Sequence, residues 1–214
     1  MIKETLSRIH KLTLILSNKK KYYHSQSAFE NLFNAYARDG DLIKTLDIGS
    51  GPSPRNPFKA KLVVGADIRE NTSNNVVFAD LSKGKLPFDN NTFDYVTAYD
   101  VMEHIQRVSN EDGKTVFPFI LLVNEIFRVL KPGGIFLSLT PCYPYSEAFQ
   151  DPTHVNIMTE NTIEKYFCES AWARIYGYNG TFKMLQDGWL KSKYFAFIEK
   201  TATSPVNDIF FVQE

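Results

Sequence analysis

The strongest constraint on the fold is the run Thr45-Leu46-Asp47-Ile48-Gly49-Ser50-Gly51-Pro52, followed by Val63-Val64-Gly65-Ala66-Asp67-Ile68. Ile43 to Ile48 reads as a short apolar strand that stops at a Gly-Ser-Gly turn, where missing side chains let backbone approach a ligand closely. A second apolar strand, Leu62 to Ala66, ends on Asp67. In a doubly wound α/β fold an acid at the tip of the second strand hydrogen-bonds the hydroxyls of a ribose, so turn and acid read as two parts of one nucleotide site.

Between these strands lies Pro52-Ser53-Pro54-Arg55-Asn56-Pro57. Three prolines in six residues predict a short, irregular crossover in place of a long helix, with Arg55 as its charge. A third strand, Asn75 to Ala79, ends at Asp80-Leu81, and the loop Leu86-Pro87-Phe88-Asp89 feeds a fourth from Phe93 to Ala98. Beyond it comes Tyr99-Asp100-Val101-Met102-Glu103-His104-Ile105. A helix within residues 116–130, regular from about Phe117, stops at Lys131-Pro132-Gly133-Gly134, and Ile135 to Thr140 is a fifth strand. Thr159 is expected to cap a helix running to Cys168. The last two strands are expected at Trp172 to Tyr178 and Tyr194 to Lys200, joined by a loop containing Gly180, Asp187 and Gly188.

These stretches resemble the class I S-adenosylmethionine-dependent methyltransferases. Asp47 to Gly51 is similar to that family's motif I, with Ser53 at the place of its third glycine; "LPF…FD", "VMEHI" and "RVLKPGG" resemble further segments. The resemblance covers roughly residues 43 to 200. It implies an α/β, Rossmann-like sheet of seven strands in the order 3-2-1-4-5-7-6 with helices on both faces. It also implies S-adenosyl-L-methionine as cofactor and S-adenosyl-L-homocysteine as product. Carried over residue by residue, it assigns Asp47, Gly49, Ser50 and Gly51 to the methionine end, and Asp67 with Ile68 to the ribose. Asp80 and Leu81 fall to the adenine, while Asp100, Val101 and His104 line the methyl-donor pocket.

Within the loop from Pro141 to Met158, Asp151-Pro152-Thr153-His154-Val155 resembles an element of family members that act on sugar hydroxyls. A hydroxyl is a poor nucleophile at neutral pH, and histidine has a suitable pKa to take its proton. His154 is therefore the candidate base, with Asp151 to orient it; the alternative is that the pair only pins the loop. Glu103 and His104 are adjacent, point apart on a helix and lack an H-E-x-x-H arrangement, so no metal is expected.

An acceptor that is a small molecule or saccharide also fits the charge balance, 24 acidic against 24 basic residues, which offers no basic stripe for nucleic acid. Two cysteines without metal-type spacing suggest free thiols in a reducing, cytoplasmic setting, and no run approaches the ~20 apolar residues of a membrane span. Residues 1–40 read as a helical cap or lid and 41–214 as the methyltransferase domain. Helices are expected over residues 2 to 16 and 27 to 38, packed on the sheet or closing over the site, with Tyr22, Tyr23 and His24 between them for recognition. Ile209 to Val212 reads as an edge strand or a docking segment. Two other readings remain open, a catalytically silent cofactor-binding module and an NAD-dependent oxidoreductase. Pro54 opposes the latter, since it stands where a dinucleotide fingerprint has its third glycine. Oligomeric state is not legible in the sequence.

Overall fold

The computed structural model describes residues 21–201. Ten strands are numbered in chain order: β1 (Tyr22–Tyr23), β2 (Lys44–Ile48), β3 (Leu62–Asp67), β4 (Val76–Phe78), β5 (Phe93–Tyr99), β6 (Ser109–Glu111), β7 (Lys114–Val116), β8 (Leu130–Pro141), β9 (Phe182–Leu190) and β10 (Lys193–Lys200). Eight of them form one sheet in the order β4-β3-β2-β5-β8-β10-β9-β1, and β6 with β7 makes a separate hairpin. From β4 to β8 neighbouring strands are parallel, whereas β10 runs antiparallel to both β8 and β9. Counted from β2, the order is the expected 3-2-1-4-5-7-6, with β1 added in parallel at the edge of β9.

Strand alternation divides the core between two faces. Tyr194, Ala196 and Ile198 of β10 point to one face, where they join Leu122, Val123, Ile126 and Val129 of α2 (Pro118–Val129). Phe195 and Phe197 point to the other, where they meet Phe29 and Phe33 of α1 (Gln26–Tyr36). Pro118 occupies the first helical position of α2, where its missing N–H costs nothing, and Leu130 leaves the helix in extended conformation. No helix follows the glycine turn: residues 49–61 form turns, as the prolines predict. Phe58 covers the sheet there, stacked on Tyr95 at 4.1 Å.

The final hairpin differs from expectation. Trp172–Tyr176 is a 3-10 helix, bracketed by left-handed backbone at Ala171 and Gly177, and it exposes Trp172, Ile175 and Tyr176. Its aromatic, β-branched composition mimics a strand. The sixth strand of the sheet is instead β9, through the stretch expected to be a loop. Gly188 there is a contact residue: a Cβ would strike the Lys21 carbonyl oxygen and crowd the Phe195 ring. Its lack of a side chain lets β1 close on β9, with the Trp189 N–H donating to that same Lys21 oxygen at 2.8 Å. The helix expected from Thr159 begins later, as α3 (Thr162–Phe167) with Asn161 at its cap. The helix expected over residues 2 to 16 and the segment Ile209 to Val212 lie outside the described residues. No disulfide joins the buried Cys142 and Cys168, and no described helix is long and apolar enough to cross a membrane.

Candidate active site

The parallel strands all deliver their carboxyl ends to one edge, and β2 and β5 flank the point where strand order reverses. Ligands of open α/β sheets bind in this crevice. Gly49 and Gly51 both have φ of +63°. A Cβ on Gly49 would collide with Val101, while one on Gly51 would meet no atom within 4 Å, so the turn is packed on one side and open on the other. The turn is anchored to β3: Gly49 N–H donates to Ala66 O at 2.7 Å and Gly51 N–H to Asp67 Oδ2 at 2.9 Å.

The two acids have different environments. Asp47 is fully buried, and burial raises its pKa against two donors, Arg55 N–H at 2.8 Å and Thr97 Oγ1 at 2.6 Å. Burial also opposes the charge of Asp67, but there the N–H groups of Arg69 and Gly51 and the Arg69 guanidinium prevail, holding the carboxyl below its ordinary range. Ser50 packs over Gly65 and donates to Gly51 O at 3.1 Å. Arg55 lies 4.7 Å over the Tyr99 ring. A groove of about 720 Å³ between α1 and the 55–59 turn includes Gln26, Glu30, Arg55 and Tyr99.

Next to Asp67, Ile68 is 62% exposed and Ala79 N–H donates back to Asp67 O at 2.8 Å, which brings Asp80 alongside. Asp80 caps the turn Leu81–Lys83, accepting from Ser82 N–H at 3.0 Å and Ser82 Oγ at 2.6 Å, and Leu81 is buried. Asp100 stands in left-handed backbone at φ +54°. One of its oxygens accepts from Lys193 Nζ at 2.6 Å; the other is buried without a hydrogen-bond partner.

The loop after β8 folds onto the segment after β5. Val155 and Asn156 N–H both donate to Glu103 O, at 3.0 and 2.9 Å, and Asn156 Nδ2 donates to Met102 O. His154 is thereby buried beside Glu103. Asp151 does not hydrogen-bond it: Asp151 Oδ2 is 3.9 Å from His154 Nε2, and Oδ1 is engaged by Thr153 N–H and Oγ1 at 2.8 and 2.7 Å. The carboxylate that sequence reasoning missed is Glu103, 1% exposed, with Oε1 at 4.0 Å from the same Nε2 and Oε2 accepting from Thr140 Oγ1 at 2.5 Å. Burial raises its pKa despite that donor. An acid set between apolar Met102 and Ile105 just past a strand end was the available signal. Glu103 and His104 do not diverge as expected for a helix; in the 3-10 turn Met102–His104 both reach toward His154, whose ring centroid is 4.8 Å from that of His104. Of the residues expected in recognition, Tyr23 is buried in the second core, whereas Tyr22 is exposed and accepts from Tyr145 Oη at 3.3 Å.

The family model described as a methyltransferase domain matches residues 46–138, the span from the glycine turn through β8. A curated relative, the sterol 24-C-methyltransferase erg6 of Schizosaccharomyces pombe, is 36% identical over 69 residues, 32% of this chain and 15% of that protein. A methyltransferase structure from Archaeoglobus fulgidus superposes with a TM-score of 0.52 at 14% identity, covering 82% of this chain and 95% of that one. The [4+2]-cyclase SpnF superposes equally well, with a TM-score of 0.53 at 16% identity over 87% of this chain and 88% of its own. Such distant structures establish the fold. The matched span, which is less than half of the chain, and the sheet order together identify a class I S-adenosylmethionine-dependent methyltransferase domain over that span, of the methyltransferase-domain family.

Proposed function

We propose that the protein transfers the methyl group of S-adenosylmethionine to a hydroxyl of a small molecule or saccharide. The residues at the sheet edge fit this cofactor. The open turn Gly49-Ser50-Gly51, supported by Asp47, faces its methionine end. Asp67 takes the ribose hydroxyls, with Ile68, Asp80 and Leu81 about the base. The buried, unpartnered oxygen of Asp100 suits the cofactor's ammonium group, beside Val101. When bound, the cofactor supplies a methyl group already activated on a sulfonium, so the protein's task is to position the acceptor and take its proton.

The observation that carries the acceptor chemistry is His154. Its Nε2 faces two carboxylates, Glu103 at 4.0 Å and Asp151 at 3.9 Å, at the end of the strand next to the glycine turn. An imidazole that accepts the hydroxyl proton becomes a cation, and the two carboxyl groups stand at ion-pairing distance from it. His104 belongs to the same cluster, with its ring centroid 4.8 Å from that of His154. Of the segment up to residue 40, the described part begins at residue 21; within it α1 seals one face of the sheet and borders the groove at Arg55 and Tyr99, as a cap on the domain would.

The test is methyl transfer from labelled S-adenosylmethionine to a panel of sugar and small-molecule hydroxyls. His154→Gln should lower kcat by about 10²–10⁴-fold with S-adenosylhomocysteine affinity unchanged. Normal turnover by the variant would reject His154 as the proton acceptor. Transfer only to amines or carbons would reject the hydroxyl.

A further inference from the structure

Glu103 and His104 after β5 and His154 after β8 converge, with one ligating atom of each within 4.8 Å of the others. Each group is held at its far end by a polar partner, which leaves its near atom available. Glu103 Oε2 accepts from Thr140 Oγ1, and Oε1 is buried with no hydrogen-bond partner. His154 Nδ1 faces the Ala148 carbonyl at 3.3 Å, and a carbonyl only accepts, so the ring proton belongs on Nδ1 and the lone pair on Nε2. His104 Nδ1 likewise faces the Thr153 carbonyl at 3.2 Å and Thr153 Oγ1 at 3.0 Å. Outer partners that fix the tautomer in this way are the usual support of metal-binding histidines.

At 4.0 and 3.9 Å, the approaches of Glu103 Oε1 and Asp151 Oδ2 to His154 Nε2 are too long for hydrogen bonds of ~2.7–3.2 Å. They are wider than the ~3.4 Å between two tetrahedral ligands at ~2.1 Å from one ion, so the ligand atoms close in on the ion when it binds. A buried carboxyl is balanced by either a proton or a cation, and among the described residues no lysine or arginine pairs with Glu103.

We propose that Glu103, His104 and His154 form a site for a first-row divalent cation of the zinc, cobalt or manganese class. Two imidazoles and one carboxylate leave coordination positions open, as in catalytic rather than structural sites. The ion's role rests on the methyl-transfer reading, although its binding does not. A hydroxyl that binds the ion has a lowered pKa and releases its proton to water while its oxygen keeps the electron pair; His154 then serves as ligand where, in the ion-free protein, it serves as base.

The experiment is titration of chelator-stripped protein with Co²⁺, followed by visible absorbance, and with Zn²⁺ by calorimetry. One equivalent should bind, with the intense visible bands of a low-coordinate nitrogen and oxygen site. Thr140→Val should weaken binding by about 10–100-fold, as loss of an outer partner does, and Glu103→Gln and His154→Gln by more. His104→Ala, at an exposed position, tests the site without disturbing the core. Binding that is not stoichiometric, or that survives all four substitutions, overturns the proposal. The thermal shift produced by S-adenosylhomocysteine separates the two readings. Loss of metal binding with that shift intact removes the ion alone, whereas metal binding without any shift keeps the ion and removes the donor.

Discussion

Asp67 does two jobs through one carboxylate: it faces the ribose in the reading above, and it ties the glycine turn to β3 through Gly51 N–H. Its pKa is held below the ordinary value of ~3.9, so the stability it contributes is present above that value and lost as pH falls through the lower, folded-state pKa. Asp67→Asn should destabilise the protein by about 1–3 kcal/mol, the scale of a hydrogen bond to a charged group that is weakened while its donors stay buried. Urea unfolding should give a constant difference from the parent between pH 5 and 8 and a shrinking one below about pH 4. A difference that grows toward acid would show that Asp67 is not the charged anchor of the turn. Cofactor affinity in the same variant should fall severely. Asp67 was legible because a strand, a turn and an acid follow one another along the chain. Glu103 was not, because its partners Thr140 and His154 lie 37 and 51 residues away and meet it only through the sheet.

At the scale of elements, sequence pattern located strands where alternation and turn residues agreed, and misplaced one where they conflicted. β2, β3, β5 and β10 lie within a residue or two of expectation. β9 escaped because Gly188 and Asp187 read as loop formers; their reasons are tertiary, a close approach of β1 and a hydrogen bond from Tyr194 Oη to Asp187 Oδ2. The proline-rich crossover was read correctly, but its anchor was not visible in the sequence. Phe58 is 1% exposed, stacks on Tyr95 and also contacts Phe33 at 5.6 Å, so one ring joins the crossover, β5 and α1. Phe58→Ala should cost about 3–5 kcal/mol, the scale of a fully buried aromatic ring removed from between the sheet and α1. Chemical denaturation measures this directly. A cost below 1 kcal/mol would mean that the crossover is held by its hydrogen bonds to Asp47 and Asn56 instead.

At the scale of the whole molecule, the fold alone does not fix the chemistry, since a methyltransferase and a [4+2]-cyclase superpose on this chain about equally well. What separates the readings is which cofactor stabilises the folded state. A ligand that binds only the native protein adds RT ln(1 + [L]/Kd), ~2.7 kcal/mol at 100 times its dissociation constant, or roughly 5–10 °C for a domain of this size. Excess S-adenosylhomocysteine should raise Tm by that amount in the parent and in His154→Gln, and by little in Asp67→Ala. NADH should leave all three unchanged, because Pro54 and the absence of a helix after the turn remove the N-terminal amides on which a dinucleotide pyrophosphate rests. A shift with NADH alone would replace methyl transfer with hydride transfer on the same fold. A shift with neither would mean that the turn at Gly49 and Gly51 binds no donor in the isolated chain, and would leave a silent module as the reading to pursue.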